Sequence, residues 1–315
     1  ALAEHTIGAF ERSLRTLGIA APLFISQNDG TLMSAARATQ FPVATFASGP
    51  TNSMRGAALL AGISEALVID IGGTTADIGY LHRGFPRESA LTVDIGGVRT
   101  NFRMPDLVSL ALGGGTIIHR DAGRVSIGPR SVGYEIIRRA RIFGGDTLTA
   151  TDIAVAAGMA NVGDPSRVDD LEPDFVQKVV ADMRAMVEAG LERMKLNAAP
   201  IPAILVGGGS LLLGDRLDGT STVIRPENFA VANAVGAAIA QVGGEIDDYI
   251  SYEKTGRERA LASARQSAEA AAIAAGARPD SIELVELEEY PVAYLAGNVT
   301  RVRAKVVGDM AEITA

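Results

Sequence analysis

Apolar positions in this chain follow two rhythms. Short apolar runs broken by Gly, Asp, Asn or Pro fall at 22–27, 42–46, 66–71, 76–81, 89–95, 97–102, 202–206 and 221–225, and they predict strands. Residues 107–111 lead into a glycine loop, and 123–128 reads as a further strand. Helices are predicted at about 3–18, 31–39, 51–61, 131–141, 151–158, 172–195 and 228–242, with a short one near 211–216. Pro173 stands near the start of helix 172–195, where a missing N–H costs little, and Pro226 marks the last turn. Composition shifts after Gly243-Gly244. An Ala-rich helix follows at 253–275, stopped by Gly276, and then two strands at 281–290 and 298–308.

The pattern repeats at an offset of 180 residues without a gap. Pro22 aligns with Pro202, and Leu23, Phe24 and Ile25 align with Ala203, Ile204 and Leu205. Asn28, Asp29 and Gly30 fall on Gly208, Gly209 and Ser210, Val43 on Val223, and Gly56-Ala57-Ala58 on Gly236-Ala237-Ala238. Each copy reads as strand, small-residue turn, short helix, strand, longer helix. Duplication accounts for that shared order better than chance.

Strand 66–71 runs into DIGGTTAD at 70–77, which carries the clearest chemistry. Gly72 and Gly73 permit a tight turn and close approach of a ligand to the backbone. Thr74 and Thr75 add hydroxyls, and the turn exposes N–H groups that form an anion nest. Asp70 and Asp77 flank it as two carboxylates, the number that Mg2+ accepts when water and phosphate fill its remaining positions. The combination suits the phosphate tail of a nucleotide. The competing reading is an ordinary glycine-rich hairpin. Asp94-Ile95-Gly96-Gly97 echoes the motif without its threonines and reads as a second turn.

Composition narrows the field. A length of 315 residues predicts two or three domains, and 47% apolar content is ample for buried cores. Net charge of −8 argues against sequence-independent nucleic-acid binding, which needs a basic footprint. The chain has no cysteine, which excludes thiol catalysis, disulfides and thiolate metal sites. The only histidines are His5, His82 and His119, in no metal-ligand spacing, so neither a histidine metal site nor a Ser-His-Asp arrangement is expected. No apolar run reaches a membrane span and nothing at the start reads as a signal peptide, so no membrane partner and a cytoplasmic location are expected. Glu286, Glu288 and Glu289 read as a solvated strand face.

A DxGGT hairpin ahead of the second repeat resembles the duplicated fold of the actin, sugar-kinase and heat-shock-chaperone nucleotide-binding group. In that group the glycine turn after the fourth strand packs on adenosine. Here that turn is Gly207-Gly208-Gly209-Ser210, after the apolar strand 202–206. The resemblance then narrows. RMPD at 103–106, LGGGT at 112–116, SIGPRSVGYE at 126–135, FGGDTLTATDIAVAAG at 143–158 and SGP at 48–50, together with DIGGTTAD, are similar to the hydantoinase A family, which includes ATP-dependent oxoprolinases. The likeness spans roughly residues 20–245. Ala76 departs from it, because many members carry a hydroxyl residue there.

The resemblance implies an α/β chain with a duplicated actin-like, ribonuclease-H-like fold, its first lobe incomplete, plus a small C-terminal α+β unit. The expected divisions are 1–62, 63–244 with an insertion at about 82–170, and 245–315. No DxGxT hairpin precedes residue 22 and the first residue is Ala1, so a missing N-terminal segment is expected, on this chain or on a separate subunit. The implied activity is ATP-dependent opening of a small cyclic amide or imide, such as a hydantoin or 5-oxoproline, through phosphorylation of its carbonyl oxygen. The alternatives are an ATP-hydrolysing subunit of a ketone carboxylase and a non-enzymatic actin-like assembly protein. Implied cofactors are ATP and Mg2+, and implied partners are a hydantoinase B type subunit and further copies of the chain. Asp70 and Asp77 take the metal and catalytic roles, with Asp106 as a further catalytic candidate. Gly113, Gly114, Gly115 and Thr116 are candidate donors to an acyl or phosphoryl oxyanion. Thr151 and Asp152 are a candidate wall of the substrate site, against the alternative that Thr149, Thr151 and Asp152 cap helix 151–158.

Overall fold

The computed structural model describes residues 2–89, 93–95, 98–100, 103–121 and 124–311. Gly96 and Gly97 of the second DIGG turn lie outside the described residues. The chain divides into two compact units, Gly49–Ile239 and a second made of Ala1–Ser48 with Ala240–Ala315.

The unit Gly49–Ile239 is built on a six-stranded sheet. Its order is Thr220–Ile224, Ile201–Val206, Ala66–Ile71, Ala76–His82 and Phe85–Pro86, with Leu107–Leu110 also pairing with Ala76–His82. The first three strands are parallel; Ala76–His82 turns back antiparallel to Ala66–Ile71. Strand 202–206 therefore shares a sheet with strands 66–71 and 76–81, as the repeat predicts. Parallel strands need cover on both faces, and the alternation of ALVIDI supplies two apolar faces. Leu67, Ile69 and Ile71 join the core under helix Pro173–Met194, whose Val179, Met183, Val187 and Leu191 are fully buried. Ala66 and Val68 point the other way, toward Met54 and Ala57 of helix Ser48–Ala61 and Ala232 of helix Ala232–Ala238. Burial of one such side chain stabilises by about 1.5–3 kcal/mol, so this two-sided packing, rather than helix propensity, holds the unit together.

Helices Ser48–Ala61 and Ala232–Ala238 cross in backbone contact. A methyl group on Gly56 would run into the Ala232 carbonyl, and one on Gly236 into the Asn52 carbonyl. The two contacts map onto each other under the 180-residue offset read from the sequence.

The second unit is a five-stranded sheet in the order Phe24–Ser26, Thr31–Ser34, Gln241–Ser251, Val299–Gly308, Glu283–Pro291. Helix Arg257–Ala274 lays Ala260, Ala264, Ala268 and Ala272 on one face, against Val302, Ala304 and Val306. The other face carries charge: Arg303 pairs with Glu245 at 2.5 Å and Glu286 at 2.7 Å, and Lys305 pairs with Asp29 at 3.0 Å.

Four expectations are corrected here. The helix expected over 31–39 begins only at Ala35, because Thr31–Ser34 is a strand paired with Phe24–Ser26. Residues 42–46 are not a strand: Pro42 opens a 3-10 helix, Pro42–Thr45, at the first helical position its fixed φ suits. The helix expected over 228–242 stops at Ala238, because residues 241–251 pair over ten positions with 299–308. The divisions at 62, 244 and 245 move, since strand Gln241–Ser251 runs through Gly243-Gly244 and ties the tail to Thr31–Ser34. Helix Ser48–Ala61 goes with the other sheet through Met54 and Ala57.

Candidate functional site at the hairpin 66–82

Asp70 and Asp77 stand directly opposite each other in the register of the hairpin. Opposed residues of an antiparallel pair share a face, with Cβ atoms about 5 Å apart. Both carboxyls lie on the face toward helix Ser48–Ala61, where the apolar alternation breaks off. Burial pushes the Asp70 carboxyl above its ordinary value against a bond from the Ser53 hydroxyl, and repulsion from Asp77 adds to the rise. Burial likewise pushes Asp77 up, opposed by the hydroxyls of Ser109 and Thr75; the Ser109 hydroxyl donates to Asp77 Oδ1. Neither carboxylate has a cationic partner among the described residues. Two facing carboxylates, both raised by burial and Asp70 further by repulsion from Asp77, have the chemistry that accepts a hard divalent cation. Among the described residues no group of three or more His, Asp or Glu side chains is arranged to hold a metal. An ion bound here rests on these two, with water and ligand oxygens completing its shell.

The turn above them is closed by one bond, Gly72 N–H to Thr75 O at 2.9 Å. Its carbonyls are pulled to one side. Gly114 N–H donates to Gly72 O at 3.0 Å, and Gly115 N–H donates to Gly73 O at 2.7 Å. The Ser131 hydroxyl reaches Gly73 O as well, at 3.3 Å. The amides of Gly73 and Thr74 take part in none of these bonds, and Gly73, Thr74 and Thr75 are exposed. A turn whose carbonyls are engaged and whose amides are not is one that can receive an anion.

Gly113, Gly114, Gly115 and Thr116 therefore have a different part from the one the sequence reading gave them. They are buried, and the amides of Gly114 and Gly115 are spent on the turn's carbonyls, so they are not free oxyanion donors. Gly113 N–H is taken by Thr116 Oγ1 at 2.7 Å. A methyl on Gly113 would meet the Gly73 carbonyl carbon at 2.6 Å, which is why this loop is glycine. Thr151 extends the same scaffold, donating from Oγ1 to Gly114 O at 2.8 Å. Asp152 is completely buried; it closes a capping box with Thr149 at the start of helix Ala150–Ala156 and accepts from Ile142 N–H at 2.8 Å. Capping prevails over the reading as a substrate wall. Asp106 is not brought to the turn: it pairs with Arg87 at 2.6 Å, three residues or about 10 Å along its strand from Ser109.

The turn Gly207–Ser210 does reach the hairpin. Strand Ile201–Val206 pairs Val206 with Asp70, so the chain leaves the sheet beside the carboxylates. Gly207 has φ +84°, and a methyl there would collide with Asp70 Oδ1; one on Gly209 would lie 2.6 Å from Gly72 O. Gly208 is exposed with open space around it, and Ser210 is buried with an unpartnered hydroxyl. Sequence reasoning missed Ser53, Ser109 and Ser131. The repeat held a signal for the first, since Ser53 plus 180 is Asn233, its hydrogen-bond partner.

The profile of the hydantoinase/oxoprolinase family matches residues 2–162, just over half of the chain, and the chain belongs to that family. It is 29% identical over 164 residues to the acetophenone carboxylase gamma subunit of Aromatoleum aromaticum, a match that takes in 50% of this chain and 22% of that subunit. Among solved structures it resembles the ATP-dependent caprolactamase of Pseudomonas jessenii, with TM-score 0.71, 18% identity, and 99% of this chain against 57% of that one. It also resembles nucleotide-free acetone carboxylase, with TM-score 0.69, 17% identity, and 99% against 56%. The chain thus spans about a fifth of the curated relative and somewhat over half of the two solved chains. At these identities the structural likeness establishes a shared mixed α/β fold. No helix among the described residues is long and apolar enough to cross a membrane.

Proposed function

We propose that this chain carries the phosphate- and metal-binding hairpin of an ATP-dependent enzyme that activates a carbonyl group. The observation that carries the proposal is the opposition of Asp70 and Asp77 beneath an exposed turn whose carbonyls are tied back and whose Gly73 and Thr74 amides donate to no backbone carbonyl among the described residues. In this reading those amides and the hydroxyls of Thr74 and Thr75 orient the terminal phosphates. Asp70 and Asp77 hold Mg2+, which supplies charge neutralisation on phosphate oxygens. Gly207, Gly208, Gly209 and Ser210 form the adenosine side, with Gly208 leaving room for close approach. Rigid donors aimed at developing charge act without reorganisation during the reaction. The actin-like duplication read from the sequence is consistent with this arrangement, and the Gly56–Gly236 crossing supports it.

The substrate class rests on the family. Opening an unstrained amide ring needs an activated carbonyl, and phosphorylation of its oxygen provides a leaving group that water displaces. The caprolactamase likeness favours a cyclic amide or imide, while the acetophenone and acetone carboxylase likenesses favour the second reading, an ATP-hydrolysing subunit of a ketone carboxylase. Both need the same hairpin. ATP turnover of the full-length protein across hydantoin, 5-oxoproline, caprolactam, and ketones with bicarbonate separates them. Substrate-dependent turnover with a lactam or imide and none with ketones supports the first reading; the reverse supports the second. No stimulation by any of them overturns the proposal.

A further inference from the structure

Asp70 is held from behind by a helix that the phosphate motif does not include. Ser53, 1% exposed in helix Ser48–Ala61, donates its hydroxyl to the Asp70 carboxylate. A serine inside a helix ordinarily turns its hydroxyl back to the carbonyl four residues earlier, which here is that of Gly49. That carbonyl is occupied: Asn233 Nδ2, from helix Ala232–Ala238, donates to Gly49 O at 2.8 Å. The same amide group donates to Ser53 Oγ at 3.4 Å. A hydroxyl has one proton. Its oxygen accepts from Asn233 and its proton goes to the Asp70 carboxylate. The crossing at Gly56 and Gly236 admits no side chain between the helices, so Ser53 and Asn233 keep this register. On the other flank Gly207 confines Asp70 Oδ1.

We propose that Ser53 and Asn233 are positioning residues for the Asp70 carboxylate, setting its orientation toward the bound cation. This rests on the reading of Asp70 as a metal-holding group. Groups behind a metal-binding carboxylate commonly change metal affinity 10–100-fold when removed. The test uses the full-length protein, with Mn2+ as a spectroscopic probe titrated in the presence of ADP and free Mn2+ followed by electron paramagnetic resonance. Ser53→Ala is expected to weaken Mn2+ binding about tenfold. Asn233→Ala is expected to weaken it several-fold, because the Ser53 oxygen loses the donor that fixes its orientation. Thermal melting of each apo variant is recorded alongside. A lowered melting temperature with unchanged Mn2+ affinity in both variants means a merely structural contact and overturns the proposal. Asp70→Asn separates the two levels. If it abolishes Mn2+ binding while Ser53→Ala and Asn233→Ala bind like the wild type, only the positioning role falls. If it too binds like the wild type, the metal reading falls with it.

Discussion

The pair Asp70–Asp77 is a destabilised arrangement in the unliganded fold. Both carboxyls are raised, so the native state binds protons more tightly than the unfolded chain at these positions. By linkage, their contribution to stability falls as pH rises through the raised values. Asp70→Asn removes that penalty. Thermal melting of the apo full-length variant should show equal or greater stability than wild type. ATP turnover should drop on the order of a hundredfold, equivalent to about 3 kcal/mol. Retained turnover with lowered stability would make DIGGTTAD a structural turn. Asp152 should behave in the opposite way. Its carboxylate serves the amides of Thr149 and Ile142 at 2.7 and 2.8 Å. Asp152→Ala strands buried donors and removes a cap, a loss of about 2–4 kcal/mol. Denaturant unfolding should register that loss while turnover per folded molecule stays near wild type.

Between elements, propensity and packing give opposite forecasts for the helix crossing. Alanine is favoured over glycine inside a helix by about 1 kcal/mol, so propensity alone predicts that Gly56→Ala and Gly236→Ala stabilise. Each new methyl would instead strike a carbonyl of the facing helix. Overpacking typically costs about 1–3 kcal/mol, and backbone yields less readily than a side chain, so both substitutions should destabilise. Melting of the two variants decides which effect wins. The same contrast explains what the sequence disclosed at this scale. Strand Ala66–Ile71, its hairpin partner and helix Pro173–Met194 were legible because their apolar periods are regular and their ends carry Gly or Pro. Strand Gln241–Ser251 was not, because two glycines interrupt it and its partner lies nearly sixty residues further on. The hairpin itself, with Asp70 opposite Asp77, was legible as a motif. The task of Gly113–Thr116 was not, since a glycine that ties back a carbonyl and one that greets a ligand look alike in sequence, whereas the cap at Asp152 was one of the two readings its sequence offered.

For the molecule as a whole, the little-exposed ion pair Lys305–Asp29 ties together the two chain segments of one unit. Burial alone would raise the Asp29 carboxyl, but the Lys305 ammonium and the hydroxyl and amide of Thr31 outweigh it and hold it below the ordinary value of 3.8. The native state then binds fewer protons than the unfolded chain, so this contribution is complete above about pH 4. It is lost as pH falls through the lowered value. Lys305→Ala should cost about 3 kcal/mol, because a little-exposed carboxylate is left unpaired. It should also reverse the local slope, with stability falling as pH rises. Urea unfolding at pH 3–7 would show both.

The composition of that unit also sets an order of events during synthesis. Thr31 must wait for Gln241, its partner in the parallel pair, which is translated 210 residues later. At about 5–20 residues per second, the delay is roughly 10–40 s. Everything needed for the sheet carrying Asp70 and Asp77 is made in the meantime, so the hairpin 66–82 can fold while the short strands Phe24–Ser26 and Thr31–Ser34 still lack the rest of their sheet. Ribosome-bound chains halted just after residue 280 should therefore resist protease across 49–239 and remain cleavable near residues 24–34. The sheet carrying Asp70 and Asp77 is complete before the sheet that holds Phe24–Ser26 and Thr31–Ser34.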